Sequence, residues 1–320
     1  MRKPMRKLLI CLSALLLSTT LSQAQRLEPV PYGDMEQWVV RIIKESGIIG
    51  GQTRELYCLG KADTIRVNKA YDYAHSGSPW SSSNAYAKVA GVEKGACTMR
   101  PEKREGGGTC CRLDVELQSI KALGIVNVSV IAGGTLFTGR TIEPIKSTDN
   151  PNKNIECGVK FNKRPKALVF DYKCTVSPEQ TMTSTKGGGK PKQIAGHDCA
   201  KAFILLEHRW EDAEGNIHAL RVGTGMEYFE KTVSTWQNGH RLEVNYGDIT
   251  KEPYYQPYMG LKSNQWAMNS KGKMVNFIEE GWDGTKTPTH MIINFAAGSQ
   301  EAFIGHEGNT MWVDNVMLEY

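Results

Sequence analysis

The stretch Ala167-Leu168-Val169-Phe170-Asp171-Tyr172-Lys173-Cys174-Thr175-Val176 has the alternation of a β-strand. Large apolar side chains recur at every second position from Leu168 to Val176, and polar side chains (Asp171, Lys173, Thr175) occupy most of the positions between them. Successive side chains of a strand point to opposite faces of a sheet. The stretch therefore predicts a strand with one face in the core and the other toward solvent.

The same alternation extends to other parts of the chain and predicts an all-β protein, either a sandwich or a barrel. The segment 211–216 is polar and contains Gly215, so it is expected to be a hairpin loop. The segment Met35 to Glu45 is the one plausible helix, although its β-branched content also suits a strand. The further predicted strands are Ile125 to Ile131, Phe203 to Trp210, His218 to Val222, Met291 to Phe295 and Met311 to Leu318.

We expect one large domain over residues 25–320. The glycine-rich segment 186–192 could be a linker between two domains, but strands of similar kind are predicted on both sides of it. A long surface loop is therefore the favoured interpretation.

The net charge of +5 is concentrated at the N-terminus. Residues 1–24 contain four basic residues, all before Leu8, and no acidic one. The apolar run Leu8 to Leu17 comes next within this segment, and Ser22-Gln23-Ala24 ends it. This order predicts a signal peptide that is cleaved before Gln25. A membrane anchor is the alternative, but the run is shorter than the roughly 20 residues that span a bilayer. We expect an exported protein without a membrane span, in the periplasm, at the cell surface or outside the cell.

The rest of the chain is nearly neutral, with 35 basic and 34 acidic residues. Nucleic-acid binding needs a clustered basic face, so this balance gives no support for a nucleic-acid partner. Seven cysteines remain after Cys11 is removed with the signal peptide. They are interpreted either as small buried apolar residues or as one or two disulfides with an unpaired remainder.

Aromatic side chains are the best candidates for binding, because the flat ring of Trp or Tyr matches the apolar face of a sugar ring. The candidates lie in loops beside amides, carboxylates or serines, which could bond to sugar hydroxyls. They are Tyr255 in the segment 253–258, Trp266 after Asn264 and Gln265, Trp282 between Glu280 and Asp283, and Trp80 in a serine-rich loop. Packing in the core or within a loop is the alternative for each of them.

Several segments, spread in order over the chain, are similar to motifs of one protein family. Their patterns are FE-x-W, W-x-(T/S)-S-N, A-G-x-(L/I)-F-x-G, RP-x-x-L…YK and a pair of closing strands. In this chain they correspond to Gly33 to Trp38, Pro79 to Asn84, Ala132 to Gly139, Arg164 to Lys173, and Pro288 to His290 with Trp312 to Val316. The chain thus resembles the putative carbohydrate metabolism domain family of exported proteins from gut-dwelling Gram-negative bacteria. It departs from that family at Ala296 to Ser299, where members often have a serine-rich stretch.

The resemblance implies an antiparallel jelly-roll β-sandwich similar to carbohydrate-binding modules. It also implies that Glu36 and Asp314 occupy the positions of two carboxylates that often meet in such modules and hold a structural calcium ion. Calcium takes about six to eight oxygen ligands, so such a pair would need backbone carbonyls as well. The alternative to a calcium site is an exposed Glu36 and an Asp314 bonded to a turn. We expect that the protein requires no cofactor.

These observations favour a non-catalytic protein that binds a polysaccharide or oligosaccharide. A glycoside hydrolase is the first alternative, and it needs two carboxylates about 5–10 Å apart, one of them with a raised pKa. Glu279 and Glu280 are adjacent on a predicted strand and would point to opposite faces, whereas Glu207 and Glu211 remain a candidate pair. A cell-envelope adhesion or structural protein is the second alternative. Protein partners are left open by the sequence.

Overall fold

A computed structural model describes residues 26–89, 91–122, 126–147, 149–187 and 190–320. The predicted signal peptide lies outside the described residues. Helical segments are short: one α-helical turn, α1 (Tyr73–Ser76), and three 3₁₀ turns, Gly47–Ile49, Pro151–Asn154 and Pro257–Met259. Within the described part of the chain, no helix is long and apolar enough to cross a membrane.

The remaining elements are strands, most of which pair antiparallel. In chain order they are β1 (Leu27–Pro29), β2 (Trp38–Lys44), β3 (Thr53–Leu59), β4 (Asp63–Ile65), β5 (Trp80–Ser82), β6 (Ala85–Val89), β7 (Val92–Ala96), β8 (Met99–Lys103), β9 (Thr109–Ala122), β10 (Val126–Gly133), β11 (Thr135–Thr141), β12 (Ile155–Cys157), β13 (Val159–Lys160), β14 (Ala167–Thr175), β15 (Thr181–Ser184), β16 (Lys192–Ala195), β17 (Ala200–Glu211), β18 (Ile217–Phe229), β19 (Val233–Glu243), β20 (Asn245–Tyr246), β21 (Gln265–Met268), β22 (Met274–Phe277), β23 (Glu279–Trp282), β24 (His290–Ala296), β25 (Ile304–Gly305) and β26 (Thr310–Glu319).

Two large sheets form the body of the protein. The first sheet has the strand order β10-β9-β26-β14-β19, and the second has the order β12-β11-β24-β17-β18-β20. Apolar side chains from both sheets meet in one buried core, among them Leu168 and Phe170 from the first sheet and Ile204 and Phe295 from the second. The predicted all-β, antiparallel class is confirmed.

The chain crosses repeatedly between the two sheets. The first sheet receives β1, β8, β9, β10, β14, β19 and β26. The second sheet receives β5, β11, β12, β13, β17, β18, β20, β23 and β24. Such crossings join the two sheets into one double-sheet fold.

The strand β14 confirms the alternation in its sequence, with one difference. Leu168, Phe170 and Tyr172 face the core as predicted. Asp171, on the other face, is also buried, because the guanidinium of Arg104 covers its carboxylate at 2.8 Å. The outer face of β14 is therefore partly covered by an ion pair rather than open to solvent.

The segment Met35 to Glu45 is not a helix. Its residues Trp38–Lys44 form β2, which pairs with β3 and β4. Val39, Arg41 and Ile43 are buried at alternate positions along β2. The β-branched content of the segment therefore favoured the strand over the helix.

The seven cysteines of the described residues are all unpaired, and five of them are buried. This supports their interpretation as small apolar residues rather than disulfide partners. The segment 185–191 connects β15 to its antiparallel partner β16.

Asn84 connects strands that are distant along the chain. Its amide nitrogen donates to the carbonyls of Tyr57 at 2.9 Å and Met99 at 2.7 Å. Its amide oxygen accepts from the backbone N–H groups of Thr98 at 2.8 Å and Met99 at 3.0 Å. The side chain is 1% exposed, so water cannot replace these four bonds.

We predict that Asn84→Ala lowers the free energy of unfolding by about 2–4 kcal/mol, because it leaves buried backbone groups unpaired. Denaturant unfolding of the full chain measures the change. The matched control is Asn152→Ala, since among the described residues the Asn152 amide makes no side-chain hydrogen bond. An equal effect of both substitutions would contradict this role of Asn84.

Candidate functional site

The outer face of the second sheet is covered by the segment between β20 and β24. The β21–β22 hairpin packs Ala267 and Phe277 onto Ala219 of β18. Tyr258 and Met259 pack onto Leu205, Met226 and Ile292 of the same face. This segment contains three of the four predicted binding residues, Tyr255, Trp266 and Trp282.

A network of buried charges lies beneath the cover. Glu207 on β17 and Glu279 on β23 are within hydrogen-bonding range of each other, and both side chains are fully buried. Arg209 binds Glu207 at 2.5 Å. Arg221 binds both oxygens of Glu279 through its Nε and Nη2, with an Nε–Oε1 distance of 2.5 Å. Gln265 donates to Glu207 at 2.9 Å. The network ties β17, β18, β21 and β23 together.

The two carboxylates are too close to stay ionised independently. Burial, and then the nearby charge of Glu207, raise the pKa of Glu279 to about 7, although Arg221 opposes the shift. A shared proton explains how two acids can lie against each other away from water. The pair therefore has the raised pKa of a general acid but is closed off from any substrate.

A cleft of about 510 Å³ opens beside this network. The volume is within the range of small-molecule sites, about 300–1,000 Å³. Its lining combines aromatic, cationic, anionic and imidazole groups: Tyr73, Ala74, Ser78, Pro79, Gly139, Arg140, Glu156, Cys157, Gly158, Val159, Lys160, Arg209, Trp210, Glu211, Ile217, Ala267, Met268 and His290.

The carboxylates that line the cleft already have partners. Glu156 accepts from Arg140 at 2.6 Å. Glu211 accepts from the backbone N–H of Ser270 at 2.8 Å and from its hydroxyl at 2.7 Å, and these bonds lower the pKa of Glu211. A lowered pKa favours the charged form, so Glu211 is not prepared as a proton donor.

His290 is a neutral group of the cleft. Burial, and then the positive charges of Arg209 and Lys160, lower its pKa to about 3. Its Nδ1 lies 2.9 Å from the hydroxyl of Thr289. Near neutral pH the imidazole can therefore donate or accept a hydrogen bond without adding charge.

Trp210 is the lining residue that sequence analysis missed as a site residue. Its side chain is 40% exposed, and its ring stacks on His218 with centroids 5.2 Å apart and planes 12° apart. Burial decreases along β17 from Leu206 to Trp210, because the strand continues beyond the core. The sequence did contain a signal for this site, because Trp210 is a large aromatic residue at the end of a predicted strand, next to the polar segment 211–216.

The predicted binding residues do not meet in one cavity. Trp266 is half-buried on β21, next to the lining residue Ala267, and its indole N–H donates to Asn264 at 3.2 Å. The Trp282 ring packs against the guanidinium of Arg221 at 5.2 Å. Tyr255 is half-buried and lies outside the cleft.

A second, smaller cavity lies on the same face of the sheet. It has a volume of about 350 Å³, and its lining includes Tyr254, Tyr258, Glu227 and Gln256. Tyr258 stacks on Tyr228 with centroids 3.9 Å apart, so its ring is already used in packing. Tyr254, the direct neighbour of the predicted Tyr255, is 44% exposed.

Trp80 belongs to the core. It is 1% exposed, donates its indole N–H to the Pro31 carbonyl at 2.8 Å, and lies against the ring of Phe295. This burial removes Trp80 from the candidate binding residues, because a sugar cannot reach its ring. The serine-rich composition of its loop did not indicate this, since Ser81 and Ser82 are buried with it.

The residues predicted for calcium have other partners. The carboxylate of Asp314 binds the guanidinium of Arg104 and the backbone N–H of Asn315, while exposed Glu36 accepts from the Thr109 N–H at 2.8 Å. Across the described ranges, no group of three or more His, Cys, Asp or Glu side chains is arranged to hold a metal ion. The guanidinium occupies the place of a cation beside Asp314, so these residues do not fit a calcium site.

Comparison with known families gives one clear result. The model of the putative carbohydrate metabolism domain matches residues 62–319. The chain belongs to this family. The resemblance seen in the sequence motifs is thereby confirmed, and the match includes every quoted motif except Gly33 to Trp38.

Two solved structures are similar to the chain. One is described as a putative glycoside hydrolase from Bacteroides thetaiotaomicron, with 18% identity and a TM-score of 0.48, covering 87% of this chain and 70% of that one. The other is described as a putative glycoside hydrolase from Bacteroides vulgatus, with 16% identity and a TM-score of 0.43, covering 92% and 94%. Likenesses of this size are no basis for an argument about function. No curated protein matches the chain significantly.

The shared proton of Glu207 and Glu279 predicts a pH dependence of stability. The pKa of Glu279 rises from 4.5 to about 7 on folding, so its contribution to stability is complete below about pH 4.5 and is lost as the pH rises through 7. Glu279→Gln keeps a neutral donor at this position. Relative to the variant, the wild-type chain should lose up to about 3 kcal/mol between pH 4.5 and pH 8.

Denaturant unfolding at a series of pH values measures this difference. The control is Glu307→Gln, which changes an exposed carboxylate and should leave the wild-type pH dependence intact. If Glu279→Gln retains the wild-type slope, the two carboxylates do not share a proton.

Proposed function

We propose that the chain is an exported, non-catalytic glycan-binding protein, and that a polysaccharide or oligosaccharide binds in the cleft beside Trp210. The observation that most supports this is the composition of the cleft. An exposed indole and polar groups with fixed partners line one cavity, which is the combination that a sugar ring requires. Membership of a carbohydrate metabolism family agrees with it.

The carboxylates favour binding over hydrolysis. The pair Glu207 and Glu279 has the pKa separation of an acid and a base, but it is buried and held at hydrogen-bonding distance. Hydrolysis needs room for the sugar and a carboxylate separation of about 5–10 Å. In the candidate pair Glu207 and Glu211, Glu207 is enclosed by Arg209 and Gln265 and cannot contact a substrate in the cleft.

We predict that Trp210→Ala weakens glycan binding about tenfold or more, because it removes the exposed ring surface of the cleft. A glycan array on the wild-type chain selects the ligand, and affinity electrophoresis then compares the variants. The matched control is Trp236→Ala, which removes a partly buried tryptophan from β19 in the other sheet. Equal losses in both variants would contradict a binding role for the cleft.

Trp266, Trp282 and Tyr255 are proposed to widen the binding surface around the cleft. Their individual Ala variants should bind the selected glycan more weakly while keeping the wild-type melting temperature. The expected order places Trp266→Ala first, because its neighbours Ala267 and Met268 line the cleft. Unchanged binding in all three variants would limit the site to the cleft itself.

A reducing-sugar assay with the same glycan separates the alternatives. Binding without release of reducing ends is the expected result. Release would support a glycoside hydrolase instead. The absence of both binding and release would favour a structural or adhesion protein of the cell envelope.

A further inference from the structure

One guanidinium N–H group in the cleft has no partner. The Arg209 side chain is 4% exposed, its Nε binds Glu207, and its Nη1 donates to the Cys157 carbonyl at 2.8 Å. Its Nη2 is buried and has no hydrogen-bond partner among the residues that the structure describes. A buried donor without an acceptor is costly, so the arrangement calls for an acceptor that is supplied from outside the chain.

A glycine packs tightly against this nitrogen. A side-chain carbon at Gly158 would lie 3.0 Å from Nη2, and the positive φ of Gly158 (84°) also disfavours any other residue there. Gly158 and Arg209 both line the cleft. Nη2 therefore lies at the part of the cleft wall that these two residues form.

Lys160 is a second cation that lines the cleft together with Arg209. Lys160 follows Gly158 by two residues, is exposed and lines the cleft. Among the described residues it forms no ion pair. It pairs in register with His290, which in turn pairs with Glu207, so Lys160, His290 and the base of Arg209 lie on adjacent strands.

The negative groups nearby are already balanced or bonded. Glu207 is bound by Arg209 and Gln265, Glu156 by Arg140, and Glu211 by Ser270. The His290 imidazole is neutral near pH 7, because burial, and then the charges of Arg209 and Lys160, lower its pKa. The ammonium of Lys160 is therefore the charge that is left without a counterion at this end of the cleft.

We infer that the glycan bound in this cleft contains an acidic sugar whose carboxylate lies between Arg209 Nη2 and Lys160 Nζ. Two cationic donors match the two oxygens of a carboxylate. This inference rests on the proposed function and specifies its substrate class as a uronic acid.

Isothermal titration calorimetry of the full chain tests the inference with matched ligands. Oligosaccharides of galacturonic, glucuronic and mannuronic acid are each compared with their own methyl ester, which removes the charge and keeps the sugar. Neutral gluco- and xylo-oligosaccharides serve as reference ligands. At least one free acid should bind about tenfold more tightly than its ester, the strength expected of a charged hydrogen bond.

Three variants assign the preference to the two cations. Lys160→Gln and Arg209→Lys should each reduce the preference for acid over ester to about threefold or less. Lys160 is exposed, so its variant remains informative if Arg209→Lys unfolds. The control Lys153→Gln changes an exposed lysine outside the cleft and should keep the wild-type preference.

The outcomes separate this inference from the proposed function. Binding of neutral glycans that is sensitive to Trp210→Ala, without preference for any free acid, overturns the inference and leaves the proposed function standing. A preference for sulfated over uronic ligands also overturns the carboxylate assignment. Failure of the wild-type chain to bind any of these glycans overturns both.

Discussion

The buried pair of Glu207 and Glu279 is the interaction on which the functional face depends. Each carboxylate is bound by an arginine that comes from the same or a neighbouring strand, and the whole network is hidden from water. Removing one partner from such a network leaves an uncompensated buried charge, which typically costs several kcal/mol. The network therefore fixes the position of β21 and β23 on the outer face of the second sheet. It thereby also fixes the walls of the cleft, since Ala267 and Met268 of β21 line it.

The same network explains why an acid pair in a carbohydrate-family protein need not be catalytic. A hydrolase must present its acid to the glycosidic oxygen, whereas Glu279 presents its carboxyl group to Glu207, Arg221 and the Lys262 N–H at 2.6 Å. A raised pKa marks both catalytic acids and buried structural ones. Access to the cleft distinguishes a catalytic acid from a buried structural one. In this protein Trp210, Lys160 and His290 line the cleft, whereas Glu207 and Glu279 do not.

Sequence analysis predicted the strands well, because alternation is a local property. The core-facing residues of β14 follow the period of two that its sequence shows, whereas in β26 Met311 and Val313 are followed in the core by Val316 and Leu318, a change of phase at Asn315. β2 shows that β-branched content outweighed the helical interpretation of Met35 to Glu45. Family motifs added what alternation cannot supply, since they indicated a double-sheet fold and a carbohydrate role.

The site was only partly predictable, because it depends on contacts between distant segments. Nothing in the sequence near Glu207 shows that Glu279 will lie against it, or that Arg209 will keep an unpaired nitrogen beside Gly158. The cation expected at Asp314 proved to be the side chain of Arg104. Trp80 was misplaced for a related reason, because a serine-rich loop can be buried when its polar groups bond to residues of other segments. The Ser81 hydroxyl contacts the hydroxyls of Tyr73 and Thr141, and Thr141 donates to the Ser82 carbonyl.

The most direct test is a crystal structure of the full chain with an oligosaccharide that it retains. The account predicts density for a sugar in the cleft, near Trp210, with an acidic group between Arg209 and Lys160. A sugar bound on the outer face of the first sheet, beside Trp236 and Trp312, would contradict it.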